Sequence, residues 1–324
     1  MSLNDILIPM QKQVDELERV MLELLTSQVP FVQSVAEYVI KNGGKRLRPV
    51  LTILCAKLSG FEGLSAYKMG SCIEFVHTAS LLHDDVIDNA KIRRGKASAN
   101  SKWGNHVSVL VGDFFYCRAS QLLTEQGNIK ILKTVTDAIT ALTEGEVLEI
   151  TKNLDFTTTE DDYLAIIRNK TAVLFAAACQ IGGILGNVSD EYEQALRSYG
   201  MNLGMAFQLS DDALDYTAIE DVFGKESGID LQEGKLTLPL LVANKRATAD
   251  EHQAIKNALL SDKIEKPVLQ EINDIITKYD GFKETYETAR RYVDLAKEQL
   301  AVFRPSIEKD ILLYTADYVL KRDR

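Results

Sequence analysis

The chain has 324 residues, 46% hydrophobic and 26% charged, with a formal net charge of −10. That is ordinary globular composition, enough for one large domain or two smaller ones, and the acidic balance argues against broad nucleic-acid binding. Met1 to Gln13 lack a basic stretch followed by an apolar core, and no uninterrupted apolar run approaches membrane-spanning length, so neither a signal peptide nor a transmembrane segment is expected. Cys55, Cys72, Cys117 and Cys179 have no C-x-x-C spacing and lie in apolar stretches, which predicts buried, reduced thiols.

Only 6 prolines leave room for long helices. Ile6, Met10, Val14, Leu17, Met21, Leu24 and Leu25 recur at helical spacing and predict an amphipathic helix over 4–27. A second helix, 31–42, is expected to stop at Gly43-Gly44, a pair suited to a C-cap and tight turn. Lys45-Arg46-Leu47-Arg48-Pro49 then leads into an apolar helix over 50–59. Residues 65–89 read as one long helix, followed by a polar loop carrying Arg93-Arg94-Gly95. Helices follow over 106–125 and 129–152, the second carrying Glu144, Glu146 and Glu149 on its surface or behind a site. Thr158-Thr159-Glu160-Asp161 reads as an N-cap with acids in the first turn. The helix behind it contains Lys170-Thr171; its Gly182-Gly183 marks either close packing or a bend. Another helix runs from Ser189 to about Tyr216, then a charged, Gly-rich segment over 218–235. Further helices begin at Pro239 and near 250, 265, 281 and 306. No strand-like alternation and no βαβ rhythm is found, so the expected fold is all-α: a single bundle domain spanning 1–324.

Two acidic runs interrupt these apolar helices: Asp84-Asp85-Val86-Ile87-Asp88 and Asp211-Asp212-Ala213-Leu214-Asp215. Each is D-D-x-x-D, which stacks the first and last acids at i, i+4 on one helix face. Stacked like charges cost roughly 0.2–0.5 kcal/mol per pair, and a cation reverses the sign. Carboxylates without His or Cys at ligand spacing suit magnesium, which keeps waters and bridges to phosphate oxygens. Arg93-Arg94 follow the first run; Lys225 and Lys235 follow the second. Two acid clusters with separate basic groups describe a site that grips a diphosphate through metal and a second anion directly.

Taken together the motifs resemble those of trans-polyprenyl diphosphate synthases of the long-chain bacterial type, related to octaprenyl diphosphate synthase. The matching stretches are Gly43 to Pro49, His77 to Asp88, Arg93 to Lys96, Val111 to Phe114, Lys170 to Ala172, Phe207 to Asp215 and Gly224 to Pro239. Lys321 to Arg324 also resemble this subgroup. The resemblance implies an isoprenoid-synthase bundle around a central cavity and a magnesium-dependent transferase. Magnesium ions, three with substrate bound, would sit on Asp84, Asp88 and Asp211. Asp85, Asp212 and Asp215 would be further ligands or acids behind them. Arg93, Lys170, Thr171, Gln208 and Lys225 would hold the allylic diphosphate. Isopentenyl diphosphate would lie on Lys45, Arg48, His77 and Arg94. His77 alone, on an apolar helix, reads as a core histidine, and only the resemblance makes it a ligand. His83 reads as structural, orienting Asp84. Lys235 either faces substrate or supports its loop, and Asp230 either holds a metal through water or does not.

Ala79 and Ser80 lie about 6–7.5 Å down the helix from Asp84 at ~1.5 Å per residue. Both are small, and in the family small residues here leave room for a long product. Phe114, Phe115, Leu122, Leu123 and Val135 are candidates for the wall and floor of that pocket. The implied role is an octaprenyl-type precursor of quinone side chains, made in the cytoplasm by a homodimer touching the membrane only transiently. Terpene cyclisation is the alternative enzyme, but it usually replaces the second acidic run. A non-catalytic subunit would be expected to lose acids from one run; both runs are intact here.

Overall fold

The structure is a computed structural model and describes residues 10–217, 228–261 and 263–321. The segment with Lys225, the start of the first expected helix and Arg322 to Arg324 lie outside the described residues. The fold is all-α, with helices close to the predicted ranges. The described chain forms two compact units. One takes the described part of Met1–Ile139 with Leu174–Gly200 and Gln299–Thr315; the other takes Thr140–Val173, Met201–Glu298 and Ala316–Arg324 as far as they are described.

The first unit is built on α1 (Gln11–Leu24), α2 (Pro30–Lys41), α3 (Leu47–Leu58) and α4 (Leu64–Ile87). Pro30 opens α2 at its first turn, where a missing N–H costs nothing. Helix α4 is buried on nearly every side from Met69 to Ala79, as a helix without a polar face must be. It packs most extensively on α6 (Asn105–Gln126), and also on α3 and α1.

The polar loop after α4 folds differently from the expectation. It forms a two-residue hairpin, β1 (Ile92–Arg93) against β2 (Lys96–Ala97), and then the short helix α5 (Ala99–Trp103). Arg94 and Gly95, at φ 53° and 75°, make the tight turn. Strands of two residues leave no alternation to read.

In the second unit Thr159 caps α8 (Glu160–Ile167), and Asp162 returns the bond to the Thr159 N–H. A π-helical turn, Arg168–Ala172, then interrupts the helix before α9 (Val173–Leu185). From Leu174, α9 belongs to the first unit, as do the long α10 (Asp190–Thr217) up to Gly200 and α16 (Ile307–Lys321) up to Thr315; the second unit takes the rest of α10, then α11 (Ile229–Gln232), α12 (Leu238–Arg246), α13 (Ala249–Leu259), α14 (Lys266–Lys278) and α15 (Gly281–Gln299). Helix α7 (Ile129–Lys152) precedes them. Tyr163, Leu209, Tyr216, Leu240, Ile272 and Ile276 form this unit's core.

One expectation changes and one open alternative is settled. Cys117 is exposed, because it falls on the outer face of α6; Cys55, Cys72 and Cys179 are buried. Gly182 is there for close packing and not for a bend: a Cβ would sit 2.6 Å from the Ala56 backbone N. The stretch Glu160–Leu185 is long and apolar enough to cross a membrane, which its scattered polar residues concealed, yet 61% of its most apolar window is buried inside the protein.

Candidate active site

The first acidic run occupies the last turn of α4. Asp88 caps the helix, its N–H donating to the Asp84 carbonyl at 2.8 Å, so Asp84 and Asp88 sit one above the other. Asp85 points inward and is buried. Arg93 grips it from β1, with Nε 2.7 Å and Nη2 2.6 Å from Oδ1. Burial pushes the Asp85 carboxyl upward, against the pull of Arg93. The hairpin that the sequence conceals is thus what delivers Arg93 to Asp85. His83 reaches toward α6, its Nε2 3.2 Å from the Val109 carbonyl and 3.5 Å from Asp113. Gly112 leaves the space for the His83 ring.

A basic cluster lies in the same unit. Arg48 Nη1 is 3.1 Å from His77 Nε2, and its guanidinium stacks 4.3 Å from the Phe175 ring centre. A guanidinium only donates, so Nε2 is the acceptor and the imidazole proton is on Nδ1. Burial first, and then Arg48, Arg94, Arg93 and Arg46, hold the His77 pKa well below its ordinary value. His77 is therefore a neutral hydrogen-bonding group and not a cation. Lys45 is exposed beside this cluster in sequence.

Arg46 and Glu74 were not singled out by motif reasoning. They form a buried ion pair, Arg46 Nη1 to Glu74 Oε1 at 2.7 Å, with side chains 5% and 6% exposed. Arg46 also donates to the Ile40 carbonyl. Their signal was an isolated acid, three residues before His77, in a helix with no polar face. The structure also revises Gly43-Gly44. Neither glycine has positive φ; Arg46 takes the left-handed position at φ 54°. The glycines supply space instead, Gly43 for the folded-back Arg46 guanidinium and Gly44 for that of Arg94. Arg46, Glu74, His77, Asp85, Arg93 and Arg94 all line a cavity of about 50 Å³. A Gly44→Ala methyl would meet Arg94 Nη2 at 2.7 Å. The end of a flexible side chain yields easily, so this variant is expected to fold normally while displacing Arg94. If an anionic substrate binds at Arg94, steady-state kinetics should show a raised KM for it, with an unchanged melting temperature.

The second acidic run lies near the end of α10. Asp212 is buried; Tyr163 OH donates to its Oδ2 at 2.6 Å and Gln208 Nε2 to its Oδ1 at 2.7 Å. Thr171 Oγ1 in turn donates to Gln208 Oε1 at 2.7 Å. Burial lifts the Asp212 carboxyl well above the ordinary range, opposed by those hydrogen bonds. Asp215 Oδ2 accepts from the Asp230 N–H at 3.0 Å, tying α11 to the acidic turn. Asp230 is half-buried, and desolvation raises its carboxyl, as do Asp215 and Asp212. Lys170, on the π turn, lies against Glu146 and Glu149 of α7, and Lys235 against Glu233. Tyr163 was missed because nothing in sequence links it to a residue 49 positions away.

The chain matches the polyprenyl synthetase family over residues 29–276. The chain belongs to that family. It is 41% identical to the octaprenyl diphosphate synthase of Escherichia coli (strain K12), over 94% of each chain. It is 35% identical to an all-trans-nonaprenyl-diphosphate synthase (geranyl-diphosphate specific) of Rhodobacter capsulatus, over 98% of this chain and 97% of that one. A crystal structure of a polyprenyl synthase from Caulobacter crescentus CB15, complexed with calcium and isoprenyl diphosphate, superposes with a TM-score of 0.94 at 37% identity, covering 100% of this chain and 98% of that one. The class of enzyme is therefore a prenyltransferase of the polyprenyl synthase type.

A divalent cation fits the donors of a polyprenyl synthetase. All are hard carboxylate oxygens, and in each run the middle acid is already taken, Asp85 by Arg93 and Asp212 by Tyr163 and Gln208. Among the described residues no group of three or more His, Cys, Asp or Glu side chains converges on one point. Asp84 and Asp88 at the end of α4 offer two such carboxylates within one unit, and Asp211 of α10 offers one in the other. Along α4, Ala79 is fully buried and Ser80 donates to the His77 carbonyl at 2.9 Å. Phe115, Leu122 and Leu123 of α6 and Val135 of α7 are buried in the same unit, and Phe114 is half-buried. One turn below Ala79, Phe75 meets Phe115 with ring centres 5.5 Å apart.

Proposed function

We propose that this prenyltransferase condenses isopentenyl diphosphate with an allylic diphosphate, farnesyl diphosphate being the expected primer, to a long trans-polyprenyl diphosphate of octaprenyl type. The observation that carries the reading is the pair of intact acidic turns, each with its middle acid locked by a partner of its own. A cyclising enzyme usually replaces the second run and has no need of the anion site at Lys45 and Arg48.

The chemistry starts with loss of diphosphate from the allylic carbon. Magnesium, when bound, neutralises the diphosphate and makes it a better leaving group. Arg93, Lys170, Thr171, Gln208 and Lys225 are assigned to the allylic diphosphate. Asp85 and Asp212 hold Arg93 and Gln208 in place, and Asp215 holds the start of α11. Lys45, Arg48, His77 and Arg94 are assigned to isopentenyl diphosphate, His77 through its Nδ1–H. They orient the double bond toward the allylic cation. A carbon–carbon bond forms, and the proton lost from the new product passes to the departing diphosphate. Apolar walls exclude water from the cation. Lys235 belongs with the diphosphate-holding groups of its unit.

We further propose a homodimer, supported by Val109 and Leu110 exposed on α6. The same reading takes the enzyme to be cytoplasmic, with transient membrane contact to release so apolar a product, and the product to serve quinone side chains. The test is purified protein with farnesyl diphosphate, isopentenyl diphosphate and magnesium, followed by product mass. Elongated diphosphates support the reading; cyclised hydrocarbon, or no turnover, removes it.

Product length gives a separate test. Ala79 is buried one turn above the Phe75–Phe115 contact, so a ring at 79 would close the space beside α4. Ala79→Tyr is expected to shorten the product by several isoprene units. An unchanged product distribution by mass spectrometry would place the growing tail elsewhere.

A further inference from the structure

Both described lysines assigned to the allylic diphosphate are already held by carboxylates. Lys170 Nζ lies 2.7 Å from Glu146 Oε2 and 2.5 Å from Glu149 Oε2. Lys235 Nζ lies 2.6 Å from Glu233 Oε2 and 3.7 Å from Glu149 Oε2. Glu146 and Glu149 are 19% exposed and stand at i, i+3 on α7. The contact is built into the backbone. A Cβ on Gly145 would come 2.6 Å from the Lys170 N, so α7 rides directly against the π turn. That turn breaks the helical repeat where Lys170 must face α7. The group holds two ammonium ions and three carboxylates, an excess of one negative charge where an anion is to bind.

An ammonium has three donors, and two of those on Lys170 are spent on glutamates. A diphosphate oxygen must compete for them. Chain elongation requires such competition, because free pyrophosphate has to leave after every cycle. We infer that Glu146 and Glu149 are positioning residues, acting through Lys170 and Lys235 as internal counter-anions that reclaim the lysines and speed pyrophosphate release. This rests on the prenyltransferase reading above.

The test is calorimetric titration with inorganic pyrophosphate and magnesium, alongside steady-state kinetics. Glu146→Gln and Glu149→Gln, which keep the shape and remove the charge, are expected to bind pyrophosphate about tenfold more tightly. Their KM for the allylic substrate and their kcat should fall together, as release slows. Glu146→Asp, which keeps the charge, should restore wild-type affinity. In a Lys170→Met background, Glu146→Gln should no longer tighten binding. Gln variants that bind pyrophosphate equally or more weakly overturn the inference, as does undiminished tightening in the Lys170→Met background. A wild-type chain that binds no pyrophosphate would remove the prenyltransferase reading itself; a wild type that binds it while the Gln variants bind no better removes only this inference.

Discussion

Asp84→Ala and Asp211→Ala are each expected to lower kcat by about 10³-fold or more, the scale on which a charge-stabilising group acts in a transition state. Neither loss should come from misfolding. Asp84 is stacked on Asp88 in the last turn of α4, and removing one of two like charges relieves roughly 0.2–0.5 kcal/mol of repulsion. The melting temperature should therefore hold or rise slightly while turnover collapses. Asp85→Asn is the contrasting variant. It breaks a buried pair with Arg93, so stability should fall along with activity. Circular dichroism with product assays across a magnesium titration separates the two behaviours. Near-normal rates at saturating magnesium in both alanine variants would remove the acidic turns from the chemistry.

Arg46→Met is expected to lose about 3–5 kcal/mol of stability, because it leaves the Glu74 carboxylate buried without its cation. The double variant Arg46→Met/Glu74→Leu should recover most of that loss. Paired apolar replacements often equal a buried ion pair, since neither charge then needs to be desolvated. Urea unfolding midpoints at constant slope give the comparison. A single variant within about 1 kcal/mol of wild type would mean that water reaches Glu74 and the pair is not buried in solution. Activity should stay low in the double variant even when stability returns. Arg46 and Glu74 line the same cavity as His77 and Arg94, and Arg46 helps keep His77 neutral.

Helices were legible because their signal is local. The spacing of Leu17 and Met21, Pro30 at a first turn, and Thr159 as a cap each act within a few residues. The motif residues were legible for a related reason, since D-D-x-x-D places its acids by helical repeat alone. What each acid does was not. Asp84 and Asp85 are neighbours in sequence, yet a turn of about 100° per residue leaves one half-buried and sends the other into the interior. Gly43-Gly44 shows the same limit. As a sequence pair it suggests a turn, and its actual task is to make room for Arg46 and Arg94, which is visible only when those side chains are in place.

By itself, then, the sequence determined an all-α chain, the positions of its two acidic turns and the basic motifs beside them, because periodicity, capping and short-range spacing are properties of neighbours along the chain. The tertiary structure alone decided which charges are partnered. Arg93 reaches Asp85 through a hairpin too short to leave a pattern, Tyr163 reaches Asp212 from another helix, and Glu146 and Glu149 reach Lys170 across the gap that Gly145 leaves. Each pairing lies beyond the reach of a helical repeat, and its strength depends on burial, which no stretch of sequence carries on its own.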